Sequence, residues 1–246
     1  MNWLAFDTST DILSVAVSRA DRVWTHDSPG GAQASSDGLP TVLRLMQEAQ
    51  VSWTHLQAIV MGRGPGAFTG LRTACAMAQG LAWGAGLKVL PIDTLLAVAE
   101  TAHHAHSQQI GRERLLVVMD ARMAQVYVAA YERVTSETNG SAAWRCVQTP
   151  ALCAPETLSP PCSWAEQAYC VVGNAPVHGP ALAGAPVLHA MPSAQALIRL
   201  APHAWAQGQA VPPEQALPLY VRDKVAQTSA ERDAQKLAAN AVTAKT

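Results

Sequence analysis

The sequence predicts an α/β protein made of two similar halves, and three observations carry that prediction. An apolar strand ends at an aspartate twice, at Asp7 and at Asp120, and a second strand follows each time, with Val15 and Val128 both eight residues past the aspartate. An apolar strand also runs into a glycine twice, at Gly62 and at Gly173. The aspartates are 113 residues apart and the glycines 111, and two landmarks that share nearly one offset indicate a duplicated unit.

The first half opens with the apolar strand Trp3–Phe6 and the polar turn Asp7-Thr8-Ser9-Thr10-Asp11. Ile12–Val17, rich in β-branched and small residues, predicts a second strand. Arg19-Ala20-Asp21 turns the chain, and Arg22–His26 returns as a third. Residues 27–38 are polar and rich in Gly and Ser, and read as a loop. Leu39, Val42, Leu43, Leu45, Met46 and Ala49 recur at helical spacing and predict an amphipathic helix starting near Pro40. Strand 57–61, a glycine-dense loop, a helix from about Thr69 to Trp83, strand Lys88–Ile92 and a helix from Thr94 to about His103 complete this half.

The polar stretch 104–114 marks the division between a first lobe at 1–104 and a second at 112–222. Leu115–Met119 and Gln125–Tyr131 open the second lobe, Tyr169–Asn174 echoes Ala58–Arg63, and Ser193–Gln207 is helical. Pro212, Pro213 and Pro218 interrupt the chain before Tyr220-Val221-Arg222. Residues 223–246 are Ala-rich with mixed charge and read as a solvated helix or a partly disordered tail.

At 49 % hydrophobic and 14 % charged, the 246 residues suit one large or two small cores. Seventeen basic against 18 acidic residues give a net charge of −1, so no global basic field supports tight autonomous binding to nucleic acid. No apolar run reaches the roughly 18 residues of a membrane span, and Met1–Asp7 lacks the basic start and long apolar core of a signal peptide. Five cysteines without a Cys-x-x-Cys argue against a disulfide framework or a structural zinc site. The expected compartment is the cytoplasm.

The run Gly62-Arg63-Gly64-Pro65-Gly66-Ala67-Phe68-Thr69-Gly70-Leu71-Arg72 joins a strand to a helix. A glycine turn in that position can offer backbone N–H groups to a phosphate, which makes Gly62, Gly64 and Gly66 candidate contacts. No Gly-Lys-Ser/Thr follows, so it is not a P-loop. It fits a dinucleotide pattern only as Gly62-x-Gly64-x-x-Ala67, with Asp93 as the ribose acid beyond the usual spacing of about 20 residues. It equally fits a tight connection that binds nothing. In the following helix Gly70, Ala74, Ala78 and Ala82 recur at every fourth position, widened by Thr73, Ala76, Gly80 and Gly84. Each helical Gly costs about 1 kcal/mol relative to Ala. Close approach, to a partner helix or to the protein's own sheet, is expected to compensate.

The duplicated strand–Asp–turn–strand unit resembles the actin-like ATPase superfamily (ASKHA, ribonuclease H-like), where two lobes face each other across a nucleotide cleft. The first-lobe turn there usually reads Asp-x-Gly-Thr/Ser-Thr/Ser; here it reads Asp7-Thr8-Ser9-Thr10. More narrowly, Asp7–Thr10, Gly62–Arg72, Gln79–Ala82, Asp120-Ala121-Arg122-Met123 with Val126-Tyr127, and Leu219–Arg222 resemble the TsaB (YeaZ) family over residues 1–225. The resemblance implies a role in making threonylcarbamoyl-adenosine beside the anticodon of tRNAs that read codons beginning with A. The implied part is a non-catalytic scaffold that forms a heterodimer with a TsaD-like paralogue and is joined by a TsaE-like ATPase. It would meet tRNA only through that complex and hold no tight cofactor, with room for ATP or ADP at the junction and for a homodimer in isolation. The helix after the glycine loop and the helix near Pro40 build the family's contact, which maps here onto Leu43, Met46, Phe68, Gly70, Arg72, Ala74, Ala78 and Ala82. Members often carry His-Ser/Thr ahead of the Leu-Pro that opens the first helix; here Ala34-Ser35 precede Leu39-Pro40.

In a working actin-like ATPase, acids at the places of Asp7 and Asp120 orient Mg²⁺ or the attacking water. With Thr8, Ser9 and Thr10 they form the candidate residual nucleotide site; turn capping and lobe packing is the other reading. Arg63 and Arg72 flank the glycine loop as phosphate or RNA contacts, or as interface pairs. Sister proteins have carried a metallopeptidase label (glycoprotease family M22), but no His-x-x-x-His is present, and His103, His104 and His106 read as a solvated helix end. Three functions compete: the scaffold subunit, a stand-alone actin-like hydrolase or kinase, and a dinucleotide-dependent oxidoreductase. The altered Asp7 turn argues against the second, and the opening hairpin against the third.

Overall fold

The computed structural model describes residues 1–106, 114–135, 142–165, 167–176, 182 and 184–222; the tail after Arg222 and His178 lie outside them. Strands β1 (Trp3–Asp7), β2 (Ile12–Arg19), β3 (Arg22–Pro29), β4 (Ala58–Gly62) and β5 (Val89–Ile92) form one sheet in the order β3-β2-β1-β4-β5. Strands β6 (Arg114–Asp120), β7 (Val126–Thr135), β8 (Ala142–Cys153), β9 (Cys170–Gly173) and β10 (Val187–His189) form a second, in the order β8-β7-β6-β9-β10. The sheets correspond strand for strand: an antiparallel meander followed by parallel neighbours. The register corresponds as well. Trp3 lies opposite Ala58 and Leu115 opposite Cys170, partners that are 55 residues apart in both sheets. The fold is therefore the duplicated two-lobed, actin-like α/β arrangement that the repeated Asp and Gly landmarks predict.

The described residues also form four α-helices: α1 (Ala34–Glu48), α2 (Phe68–Ala85), α3 (Thr94–Ala105) and α4 (Ala194–Ala206). Successive strand residues face opposite sides of a sheet. Leu4 and Phe6 accordingly meet α1 and α2, while Trp3 and Ala5 meet α4. In the second sheet Leu115, Val117 and Met119 meet α3, and the other face is covered by irregular chain carrying Leu158, Trp164 and Leu182. The helices are thus exchanged. Helix α3 follows the first sheet in sequence but packs on the second; α4 follows the second and packs on the first, and the two touch between the sheets. The expected division at 104–112 separates the sheets, but the packing crosses it.

Two local expectations need correction. Helix α1 begins at Ala34, not near Pro40, because Ala34 and Gly38 are buried and the chain there must pack. A Cβ on Gly38 would lie 2.7 Å from the sulfur of Met77 on α2, so the glycine lets the two helices approach. Strands β8 and β10 were not expected. The burial along β8 does not alternate, and the three residues of β10 are too few to show a period. After α4 the chain returns to the first lobe. Val211 pairs with Val89, and the buried Ala216 accepts hydrogen bonds through its carbonyl from Cys75 Sγ at 2.9 Å and Gln79 Nε2 at 3.1 Å.

Candidate functional site

Asp7 ends the central strand and is buried. Its Oδ1 accepts from the N–H of Ser9 at 2.8 Å and the hydroxyl of Ser9 at 2.5 Å, and its Oδ2 accepts from the hydroxyl of Thr94 at 2.9 Å. Thr94 opens α3, and its oxygen in turn accepts from Gly64 N–H at 3.1 Å. Burial pushes the Asp7 carboxyl up from its ordinary value, and the bonds from Ser9 and Thr94 offset only part of this. Asp7 therefore ties together the ends of β1, the glycine loop and α3.

The glycines of the loop explain themselves against this turn. A Cβ on Gly62 would lie 1.8 Å from Asp7 Oδ2, one on Gly66 2.4 Å from Ser9 O, and one on Gly70 1.8 Å from Thr8 O. Ala67 N–H donates to Ser9 O at 2.7 Å and the Thr8 hydroxyl to Gly70 O at 2.6 Å. The loop and the Asp7–Thr10 turn thus pack face to face, and the glycines are used up in that contact. Of the candidate nucleotide-site residues, Asp7, Thr8, Gly62 and Gly64 lie beneath the surface. Ser9, Thr10, Gly66 and Asp120 line a space of about 110 Å³ in the cleft between the lobes, which adjoins one of about 220 Å³ past Gly66, Arg122 and Tyr127. Ligand pockets ordinarily run from about 300 to 1,000 Å³.

Asp120 sits across that cleft. Its Oδ1 accepts from Arg122 N–H at 2.8 Å, and Arg122 reaches over to Asp11 of the first lobe at 2.8 Å. Arg122, Met123 and Ala124 have φ values of 62°, 56° and 54°, a left-handed turn that aims the guanidinium across the gap. Arg222 braces the same turn, donating to Ala121 O at 2.9 Å. The Arg122–Asp11 pair is exposed on both sides and contributes little stability by itself.

The expected partner surface divides. Gly70, Ala74, Ala78, Ala82 and Met46 are buried. Ala74, Ala78, Ala82 and Met46 share a core with Leu4, Phe6 and Met61, and Gly70 is pressed on Thr8. As interface residues these five are corrected: the small stripe is the side of α2 that lies on its own sheet. Phe68 stacks on Tyr220 with ring centroids 5.4 Å apart, and Arg72 lies 3.8 Å over Phe68. Leu43 remains exposed. The outward face of α2 is the row Ala76, Gly80, Trp83 and Gly84, all exposed, and a Cβ on Gly80 or Gly84 would meet nothing within 4 Å. Trp83 is 73 % exposed, and Leu39 and Leu43 on the outward side of neighbouring α1 are 45 % and 48 % exposed. The sequence signal for this face was the tryptophan among glycines.

Arg63 pairs with Asp93 at 2.5 Å, so neither is free for the phosphate or ribose role, and two exchanged lobes are not a dinucleotide fold. Among the described residues no three His, Cys, Asp or Glu side chains are placed to share a metal ion, and no helix is long and apolar enough to cross a membrane. His103 lies 2.8 Å from Arg133, and His106 is 3.4 Å from His189 O.

The family model for TsaD, described as tRNA N6-adenosine threonylcarbamoyltransferase, matches residues 25–159. The "tRNA threonylcarbamoyladenosine biosynthesis protein TsaB" of Escherichia coli K12 is 32 % identical over 234 residues, spanning 92 % of this chain and 96 % of that one. The protein of the same name from Haemophilus influenzae is 34 % identical over 156 residues, 62 % of this chain and 64 % of that one. The solved structure of YeaZ from Pseudomonas aeruginosa has a TM-score of 0.73 at 34 % identity, covering 89 % of this chain and 99 % of that one. Another from the same organism, described as similar to peptidase YeaZ, gives 0.74 at 33 % identity, covering 90 % and 99 %. With duplicated sheets, the packed glycine loop, and the Escherichia coli and Pseudomonas aeruginosa relatives matched over 96 % and 99 % of their length, this chain belongs to the TsaB (YeaZ) family.

Proposed function

We propose that this chain serves in the biosynthesis of threonylcarbamoyladenosine on tRNA as a partner subunit without catalysis of its own. It pairs with a TsaD-like transferase through the outward faces of α1 and α2, in an assembly that a TsaE-like ATPase joins and through which tRNA is met. The names of the TsaB relatives support the pathway. The observation that carries the pairing is Gly80 and Gly84. Each weakens an exposed helix by about 1 kcal/mol relative to Ala, and no packing among the described residues calls for it. Backbone approach by another helix would, and the exposed Trp83, Leu39 and Leu43 supply the apolar contact beside it.

The absence of catalysis is supported by the site itself. Asp7, the acid a nucleotide hydrolase would use, is buried and spent on Ser9 and Thr94. ATP or ADP would sit at the junction with the partner. The test is size-exclusion chromatography of this chain mixed with its TsaD-like paralogue. A stable heterodimer, with no ATP turnover by this chain alone, supports the reading. Two proteins that elute separately, or ATP turnover by this chain alone, contradict it.

A further inference from the structure

A second cavity, of about 690 Å³, opens between the lobes and shares no lining residue with the Asp120 cleft. Its size suits a drug- or nucleotide-sized molecule. Ile92 and Leu96 of the first lobe form one apolar wall; Leu200 of α4 and Leu217 and Leu219 of the closing segment form another. Three guanidiniums line it against two carboxylates. Arg63 is paired with Asp93, and Arg199 with Glu100 at 2.8 Å, which also accepts from the indole of Trp144 at 2.8 Å. Among the described residues lining the cavity, Arg133 is the guanidinium without a carboxylate partner. It lies 5.7 Å over the Trp144 ring and against His103, with none of the described carboxylates at ion-pair distance. Tyr131, 1 % exposed, contributes to the same wall, and its hydroxyl has no hydrogen-bond partner among the described residues. Burial pushes this phenol well above its ordinary value, so it stays a donor.

We infer that this cavity is a binding site for a small organic anion, whose carboxylate or phosphate pairs with Arg133 and whose apolar body lies against the leucine walls. A guanidinium is the side chain best suited to a planar carboxylate or a phosphate. The Trp144 ring beside Arg133 shields one side of the pair from water, which strengthens it. Such a ligand would touch the first lobe, the second lobe and α4 together. The inference is independent of the pairing with a TsaD-like protein.

The test uses the full chain and three probes: UMP, N-acetylphenylalanine and inorganic phosphate. Calorimetry should show one-to-one, submillimolar binding of at least one organic anion, about tenfold tighter than inorganic phosphate and about tenfold weaker in Arg133→Gln. Cys146 and Cys162 are both exposed, and of the two only Cys146 lines the cavity. At saturation the bound anion should therefore slow maleimide modification of Cys146 and leave Cys162 unchanged. This measurement needs no variant and decides the matter if Arg133→Gln is unstable. Binding of UMP alone assigns the site to phosphate esters, and of N-acetylphenylalanine alone to carboxylates. No binding up to about 5 mM, inorganic phosphate binding as tightly as the organic anions, or Cys146 unprotected at saturation overturns the inference.

Discussion

Gly62 abuts the carboxylate of Asp7 with no room for a side chain: a Cβ there would lie 1.8 Å from Oδ2. The pair joins the ends of two central strands, and Asp7 ties them to Ser9 and Thr94. Gly62→Ala must displace either the strand or the carboxylate, and should cost about 3 kcal/mol or more. Urea denaturation measures it. A variant within about 0.5 kcal/mol of the unaltered chain would mean that the joint is slack.

Asp7→Ala strands the Ser9 N–H, the Ser9 hydroxyl and the Thr94 hydroxyl, and should cost about 2–4 kcal/mol. Asp7→Asn keeps an acceptor and removes the penalty of burying a charge, and should lie within about 1 kcal/mol of the unaltered chain at neutral pH. Because burial raises the folded pKa of Asp7 above 3.8, the folded state binds the extra proton. The stability from Asp7 is full below the unfolded value and is lost as pH rises through the folded one. Chemical denaturation from pH 4 upward should show this decline in the unaltered chain and not in Asp7→Asn. Parallel profiles would contradict the assignment.

Glu132 runs the other way. Burial alone would raise its pKa, but bonds from Arg145, Trp164 and Arg114 outweigh that and hold it below 4.5. Its stability is present above the unfolded value and is lost as pH falls through the lowered folded one. Glu132→Gln should remove this acid-side loss while costing about 1–3 kcal/mol at neutral pH, read by denaturation at pH 3 and pH 7. An unchanged acid limb would show that Glu132 is not its source.

Much of this was readable from the residues. Asp7 and Asp120, Gly62 and Gly173 mark the two sheets because strand ends need a polar turn or a glycine at close approach. The exchange of α3 and α4 was not readable. An apolar stripe tells which side of a helix is covered, not which sheet covers it. Helix α2 carries small residues on opposite sides, Ala74/Ala78/Ala82 and Ala76/Gly80/Gly84, and composition does not say which row meets the sheet. Burial does: Leu71 and Cys75 flank the buried row, and Arg72 and Trp83 the exposed one. The packing of the glycine loop on the Asp7 turn was not readable, because a glycine that admits a phosphate and a glycine that admits a neighbouring turn look alike in sequence.

The two faces of α2 therefore predict opposite outcomes. Ala78→Arg drives a charge into the core of the first lobe and should unfold it, at a cost of about 3 kcal/mol or more. Gly80→Arg adds a side chain in open space to an exposed helix, and should leave stability unchanged or raise it by about 1 kcal/mol. Thermal melting distinguishes them, and a folded Ala78→Arg would reverse the assignment of the faces.

The central claim is that this chain acts through its outward α1–α2 face on a transferase that does the chemistry. The most direct measurement is threonylcarbamoyladenosine formation on tRNA by the TsaD-like paralogue and the TsaE-like ATPase, with this chain unaltered, as Gly80→Arg, or left out. The account predicts full formation with the unaltered chain. It predicts little or none without the chain, and equally little with a Gly80→Arg chain that melts normally. Normal formation with the folded Gly80→Arg chain, or with no chain at all, would contradict it.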